Sequence, residues 1–190
     1  MLKRLVAALP IAAAVLALAP PALAAGGRYV FQGGTSGERG QVVKALDASS
    51  FPWDVVPGRV TIHIRPGASF ATPGDIYLDS GLLDEGTVAW GIVQHEYAHQ
   101  VDFLLLHPGQ RSKLERLLGG RAWLGDAELG NAGSGSAHGR LAGERFASEV
   151  AWAYWPSRLN VLRPTSARSE AGHVPIARFR RVLASLLHRR

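Results

Sequence analysis

An apolar stretch at residues 86–106, with the run HEYAH at positions 95–99, constrains the fold of this chain more than any other feature. On an α-helix, residues four positions apart lie on one face, with about 5–6 Å between their Cβ atoms. His95 and His99 therefore face the same way, at a spacing that allows two imidazoles to bind one metal ion. Glu96 projects about 100° round the helix from His95. The run predicts a buried helix with a metal site on its polar stripe, flanked by a carboxylate that could act on a water molecule there.

The rest of this helix supports burial. Val93 and Tyr97 fall on the side opposite the histidines, and a helix that is apolar nearly all round is a buried helix. Asp102 continues the polar stripe by one turn, where it could orient a ligand imidazole or be an ordinary polar group of the helix. Gln100 lies on the apolar side, and the sequence offers no role for it.

The first residues have the pattern of a secretory signal peptide. Lys3 and Arg4 precede a short apolar core, residues 5–18, and the run Ala-Leu-Ala at 22–24 fits the small-x-small cleavage rule. The core is shorter than the roughly 20 apolar residues that span a bilayer, so cleavage is expected rather than an uncleaved anchor. We therefore expect a secreted protein, extracellular or in the cell envelope, that begins at or next to Ala25.

Composition indicates one domain without covalent cross-links. The chain has 190 residues and no cysteine, which excludes disulfides and thiolate metal ligands. Loss of residues 1–24 removes Lys3 and Arg4 and lowers the formal net charge from +6 to +4. Residues 25–190 suit a single domain with its own core, expected to be monomeric, to take a peptide or protein substrate, and to have no nucleic-acid partner and no membrane span.

Secondary structure predicted before the HEYAH helix is mixed. Residues 28–31 could form a first strand, and Thr35 and Glu38 have capping-box spacing ahead of a helix at about 36–48. Alternating apolar residues predict strands at 59–64 and 75–79. The second of these strands could bind an extended peptide if it lies at a sheet edge, or it could be an ordinary short strand.

Three further helices are predicted after it, at residues 110–118, 144–155 and 175–190. The last is basic and amphipathic, a type of helix that can bind membranes or acidic polymers but more often packs on its own domain. Between the first two lies a segment rich in glycine, alanine and serine, residues 125–143. It contains His138, which is either a solvated histidine or a hydrogen-bond donor to an oxyanion that develops at the metal.

A third metal ligand is predicted on the 144–155 helix. Glu144 heads a stripe of small residues, Ala147, Ser148 and Ala151, which would let this helix approach the metal helix closely. Glu149 points about 140° away from Glu144, so both cannot face one ion from a regular helix. Glu144 is preferred, while Glu149, or a group such as His138 or Asp126, remains an alternative.

With these residues in place, the chain resembles the gluzincins, metallopeptidases with H-E-x-x-H on one helix and a glutamate ligand on a later one. The run GERFASEVAWAYW at 143–155 is similar to the third-ligand segment of the anthrax lethal factor catalytic domain. This resemblance covers roughly residues 75–156. It implies that His95, His99 and Glu144 bind Zn²⁺ and that Glu96 is the general base. The family has a transition-state tyrosine shortly before the glutamate, where this chain has Ala137 and His138. Ser148 occupies the place where the thermolysin pattern has aspartate.

Together, the patterns and the resemblance predict an α+β fold: a minimal zincin-like domain in which a small mixed sheet packs on the HExxH helix and a glutamate-ligand helix. Two histidines and one glutamate leave one of the four zinc positions open, as in catalytic sites. The predicted function is a secreted zinc metallopeptidase. A non-catalytic metal-binding or interaction module on the same fold is the first alternative, and a basic surface-binding protein acting through its tail is the second.

Overall fold

A four-stranded mixed sheet lies in the first half of the chain in the computed structural model, which describes residues 27–120, 122–123 and 141–188. The strand order is β1-β2-β4-β3. The central strand β2 runs parallel to both β1 and β4, and β3 pairs antiparallel with β4 at the edge. The strands are β1 Tyr29–Gly33, β2 Val60–Arg65, β3 Phe70–Thr72 and β4 Asp75–Asp79.

Alternation in the sequence accounts for the buried face of the sheet. Val60, Ile62 and Ile64 of β2 are all buried, and Ile76 and Leu78 of β4 continue the same face. Edge strand β3 was not predicted from the sequence, because three residues are too few to show an alternating pattern. The predicted strand 75–79 is therefore not itself an edge strand, since β3 pairs with its outer side.

Six α-helices accompany the sheet in the described residues, which gives the predicted α+β class. A capping box between Thr35 and Glu38 starts the first helix, as its spacing predicts. The helices are α1 Ser36–Ala48, α2 Ser80–Asp84, α3 Trp90–Leu105, α4 Pro108–Leu118, α5 Ala142–Tyr154 and α6 Ile176–Leu187.

Helix α3, which carries HEYAH, begins later than the sequence suggests. The apolar stretch that predicts this helix begins at residue 86, but Gly86–Ala89 forms a 3₁₀ turn and regular helix begins at Trp90. Ala89, at the N-cap, has no side chain that can accept from the free amides of the first turn. A tighter turn ahead of the helix offers backbone partners in place of a side-chain cap.

Helix α3 is held at the centre of the molecule by apolar packing and by amide side chains. Val93, Tyr97 and Val101 are buried in the core. The side chain of Gln94 donates to the carbonyl of Ala45 in α1 at 2.7 Å. These contacts fix the helix on one side, while α5 packs along its histidine face.

The C-terminal helix α6 packs on its own domain. This is the more common behaviour of a basic amphipathic helix, as opposed to binding a membrane or an acidic polymer. Phe179, Leu183 and Leu186 are buried. Arg180 donates to the carbonyl of Ala153 and lies 4.7 Å from the ring centroid of Tyr154. None of the helices in the described ranges has the length and apolar character needed to cross a membrane.

Candidate metal centre

Helices α3 and α5 bring three polar atoms together. Nε2 of His95 lies 3.0 Å from Oε2 of Glu144, and Nε2 of His99 lies 3.4 Å from the same oxygen. The two imidazole nitrogens are 3.1 Å apart. All three residues are buried, with 5–6% of their surface exposed. The structure thus brings His95, His99 and Glu144 together at one point between two helices.

The size of this triangle fits a metal ion. Tetrahedral zinc binds nitrogen and oxygen ligands at about 2.0–2.1 Å, which separates neighbouring ligand atoms by about 3.3 Å. The three measured separations, 3.0, 3.1 and 3.4 Å, lie close to that edge length. Two imidazole nitrogens and a carboxylate oxygen at this distance need a cation, either protons or a metal, between their lone pairs. His95, Glu96 and His99 also offer donor atoms within 4.8 Å of one another, so this buried group could hold a metal ion.

The negative charges around the triangle favour a cation there. Burial would lower the pKa of His99, but its hydrogen bond to Glu144 and the negative charges of Glu144, Glu96 and Asp102 raise it to about 9. Burial alone would raise the pKa of Glu144, yet hydrogen bonds from both histidines hold it well below its usual range. Glu144 is therefore ionised at neutral pH, which is the state a carboxylate needs in order to bind a metal.

Glu96 lies beside the triangle and opens onto a cleft of about 590 Å³. His95 and Glu96 form part of its floor, next to Ile92. The loop at 67–69 lines the cleft on the sheet side, and Leu162 and Glu170 line it from the segment between α5 and α6. The cleft thus reaches the carboxylate of Glu96 and one of the two histidines.

Glu149, the alternative third ligand, is placed elsewhere. Its Oε2 accepts hydrogen bonds from the backbone amides of Gly172 at 2.7 Å and His173 at 3.2 Å. Burial raises its pKa to about 7, although the two amides act in the opposite direction. Glu149 therefore fastens the segment that precedes α6 through hydrogen bonds from two backbone amides.

Beyond the triangle, His95 has a hydrogen-bonding partner that the sequence analysis did not assign. Its Nδ1 lies 3.0 Å from Oγ of Ser148, and this hydroxyl donates to Oε2 of Glu170 at 2.9 Å. The sequence marks Ser148 only as a small residue and as the residue at the place of the thermolysin aspartate. Glu170 lies 22 positions further on, in a segment without a recognisable pattern. Only its acidic character could have drawn attention to it.

Asp102 does not form a hydrogen bond with either imidazole of the triangle. Its two carboxylate oxygens accept from Nε of Arg111 at 2.7 Å and from Nε1 of Trp123 at 2.8 Å. Nδ1 of His99 has no hydrogen-bond partner among the described residues, and the ring stacks on Phe103 with centroids 5.8 Å apart. On its Nδ1 side, the His99 ring is therefore held by packing on Phe103 and not by a hydrogen bond.

Two sequence-predicted candidates lie outside the described residues. His138, predicted as a helper for an oxyanion, and Asp126, an alternative ligand, both fall in the range 124–140. Residues 1–24, expected to be a signal peptide, also lie outside the described ranges.

Comparison with known proteins adds no relative. The chain matches no protein-family model, no curated protein and no solved structure. The site must therefore be interpreted from its own geometry and chemistry.

Proposed function

We propose that this chain is a secreted zinc metallopeptidase of minimal gluzincin type. The observation that carries the proposal is the triangle formed by Nε2 of His95, Nε2 of His99 and Oε2 of Glu144, with Glu96 beside it at an open cleft. Three protein ligands leave a fourth position for water or substrate, which is the arrangement of catalytic rather than structural zinc sites.

Zinc fits this donor set better than other common metals. Imidazole nitrogens suit zinc, whereas calcium and magnesium prefer sites built from oxygen ligands. Cysteine is absent from the sequence, so the soft thiolate sites of other metals cannot form. The three donor separations, 3.0, 3.1 and 3.4 Å, are compatible with a tetrahedral zinc ion, and the preference for zinc rests on the two imidazole donors.

The chemistry of peptide hydrolysis divides between the metal and Glu96. Zinc, when bound, would polarise the scissile carbonyl and make water more acidic. Glu96 would accept the proton of the attacking water and deliver it to the leaving amine. Its position on the cleft floor, 6% exposed, keeps the carboxylate near both the metal side and the substrate side.

The test is metal analysis of purified protein followed by cleavage of a peptide library. We expect about one zinc per chain, and cleavage that stops with a chelator and returns when zinc is added back. A protein that binds zinc but cleaves none of the library would instead be the non-catalytic module.

Replacing Glu96 with glutamine should abolish cleavage while preserving the metal site. The change Glu96→Gln keeps the shape of the side chain but removes the base, and a general base typically contributes about 10²–10⁴-fold. Zinc content and the cleavage rate would be measured together, with the exposed Glu85→Gln as the matched control. Cleavage by Glu96→Gln at the parent rate would contradict this mechanism.

Export is part of the proposal and is tested separately. N-terminal sequencing of secreted material should find Ala25 or a neighbouring residue first, whereas an intact Met1 would contradict cleavage.

A further inference from the structure

A chain of hydrogen bonds leads away from the metal triangle to the outer wall of the cleft. His95 contacts Ser148 on α5, and Ser148 contacts Glu170 in the segment between α5 and α6. Ser148 is fully buried, whereas Glu170 is partly exposed and lines the same cleft as Glu96. The carboxylate of Glu170 is thus connected to the proposed ligand His95 through Ser148, and it also lines the cleft.

The proton positions along this chain follow from the inventory of donors. A serine hydroxyl has a single proton, and an ionised carboxylate can only accept. Since Ser148 donates its proton to Glu170, its oxygen must accept from Nδ1–H of His95. When a metal occupies the triangle, a proton held on Nδ1 leaves the lone pair of Nε2 free to bind the ion, and Nε2 is the atom that faces Glu144 and His99.

The segment that carries Glu170 is fastened at other points as well. Asn160 donates to the carbonyls of Ala151 and Trp155, and Glu149 accepts from the amides of Gly172 and His173. These bonds all connect the segment to α5 or to the end of that helix. The bond from Ser148 to Glu170 differs from them, because it connects the segment to a proposed metal ligand.

We propose that Ser148 and Glu170 are positioning residues that fix the tautomer and ring orientation of His95, and that through them metal binding and docking of residues 157–173 strengthen each other. The proposal rests on the metal site of the proposed function but not on hydrolysis. A partner that orders the second nitrogen of a ligand imidazole raises the affinity of that imidazole for metal. By thermodynamic reciprocity, metal on His95 must then favour the docked segment to the same degree.

The test uses Ser148→Ala, Glu170→Ala and the double variant in the full-length protein. The control for the serine-to-alanine change is Ser185→Ala. The hydroxyl of Ser185 donates to a carbonyl within α6 and is not part of this chain of hydrogen bonds. Exposed Glu85→Ala serves as the glutamate control. Zinc affinity is measured by competition with a chromophoric chelator, and folding is checked by circular dichroism. Glu170→Ala, at a partly exposed position, keeps the test valid if Ser148→Ala folds poorly.

We expect each single variant to bind zinc about 10–100-fold more weakly, as is usual for the loss of an outer partner. Because the effect of Glu170 passes through Ser148, the double variant should be no weaker than Ser148→Ala. Glu170→Gln, which can still accept from Ser148 but has no charge, should lose less affinity than Glu170→Ala.

Two readouts distinguish positioning from general support of the fold. ¹⁵N NMR of the zinc-loaded parent should show a protonated Nδ1 on His95, and this signal should change in Ser148→Ala. Zinc should slow hydrogen exchange at the amides of Gly172 and His173 in the parent, and this slowing should disappear in both single variants.

Unchanged zinc affinity in both single variants, beside a zinc-binding parent, would overturn the inference and leave the metal site standing. Additive losses in the double variant would also overturn it. If the parent binds zinc but cleaves no peptide, only the peptidase proposal is wrong. If the parent binds no metal, both the peptidase proposal and the positioning role of Ser148 and Glu170 are wrong.

Discussion

At the scale of single residues, two glutamates on one helix have different partners because of the direction in which they point. Glu144 and Glu149 are five positions apart on α5, which turns them about 140° from each other. Glu144 faces the two histidines of α3, and Glu149 faces the backbone of the segment before α6. Both are buried, so burial alone would not separate a ligand from a structural anchor.

Zinc affinity should separate these two glutamates. Glu144→Ala removes a donor atom of the triangle, so we expect a loss greater than the roughly 10–100-fold that follows the loss of an outer partner. Glu149→Ala should keep most of the affinity, because Glu149 contacts the segment near residue 172 and not the metal triangle. Zinc titrations of both folded variants would check this. Parent-like binding by Glu144→Ala, with loss in Glu149→Ala, would reverse the assignment.

Glu149 should also make stability depend on pH. Its pKa rises from an ordinary 4.5 to about 7 in the folded protein, so the folded chain keeps a proton that the unfolded chain releases. The stability from this proton is complete below pH 4.5 and is lost as the pH rises through about 7. Glu149→Gln cannot titrate, so its unfolding free energy should fall less between pH 5 and pH 8, by a difference on the order of 3 kcal/mol.

Denaturant unfolding of parent and Glu149→Gln, both with chelator present, would measure that difference. Glu85→Gln is the exposed control and should follow the parent. If the unfolding free energies of the parent and Glu149→Gln change with pH in the same way, Glu149 has an ordinary pKa and the prediction is wrong.

At the scale of elements, α3 is fastened to its neighbours by side chains that carry no metal. Gln100, unexplained by the sequence, connects α3 to the β3–β4 hairpin. Its Oε1 accepts from the amide of Gly74 at 2.8 Å, and its Nε2 donates to the carbonyls of Thr72 and Asp75 at 2.8 and 3.1 Å. The side chain of Gln100 thus holds the β3–β4 hairpin against α3 by hydrogen bonds, at a point where apolar packing would be the usual contact.

Replacing Gln100 with alanine should therefore destabilise the hairpin. Three hydrogen bonds are lost from a fully buried side chain, and unpaired buried groups cost about 1–3 kcal/mol each when solvent cannot reach them. We expect a loss of about 2–4 kcal/mol in the free energy of unfolding. Faster hydrogen exchange at Gly74 in Gln100→Ala would locate the effect. Exposed Gln32→Ala is the control, and an equal loss there would contradict this role.

At the scale of the whole molecule, the candidate metal site joins parts of the chain that are distant in sequence. His95 and Glu144 are separated by 49 positions, and the contact between α3 and α5 is the most extensive between any two elements in the described residues. A metal bound to both helices stabilises only the folded state, because the unfolded chain does not hold its ligands together.

Zinc should therefore raise the melting temperature of the parent. A ligand at about 1,000 times its dissociation constant contributes about 4 kcal/mol to folding stability. Thermal unfolding with and without zinc would show this shift, and His95→Ala combined with His99→Ala should abolish it. A zinc-dependent shift that survives this double substitution would place the metal elsewhere on the chain.

The sequence by itself determined the local features of this protein. The four-residue spacing of His95 and His99 fixes a shared helix face, and the capping box of Thr35 and Glu38 fixes the start of α1. The α+β class was predicted from the local patterns together with the family resemblance, and the preference for Glu144 over Glu149 stays a prediction that rests on their angle on one helix and on the same resemblance. These features depend on residues within one or two helical turns of each other, or on the angle between positions of one helix, which are readable from spacing alone.

Tertiary structure alone decided which distant groups meet. The sequence could not show that Ser148 bridges His95 and Glu170, that Gln100 binds the β3–β4 hairpin, or that Asp102 bonds to Arg111 and Trp123 instead of a ligand. Each of these contacts joins separate elements whose relative placement is set by core packing. A buried polar group must find a partner, but which one it finds depends on how the helices and strands pack around it.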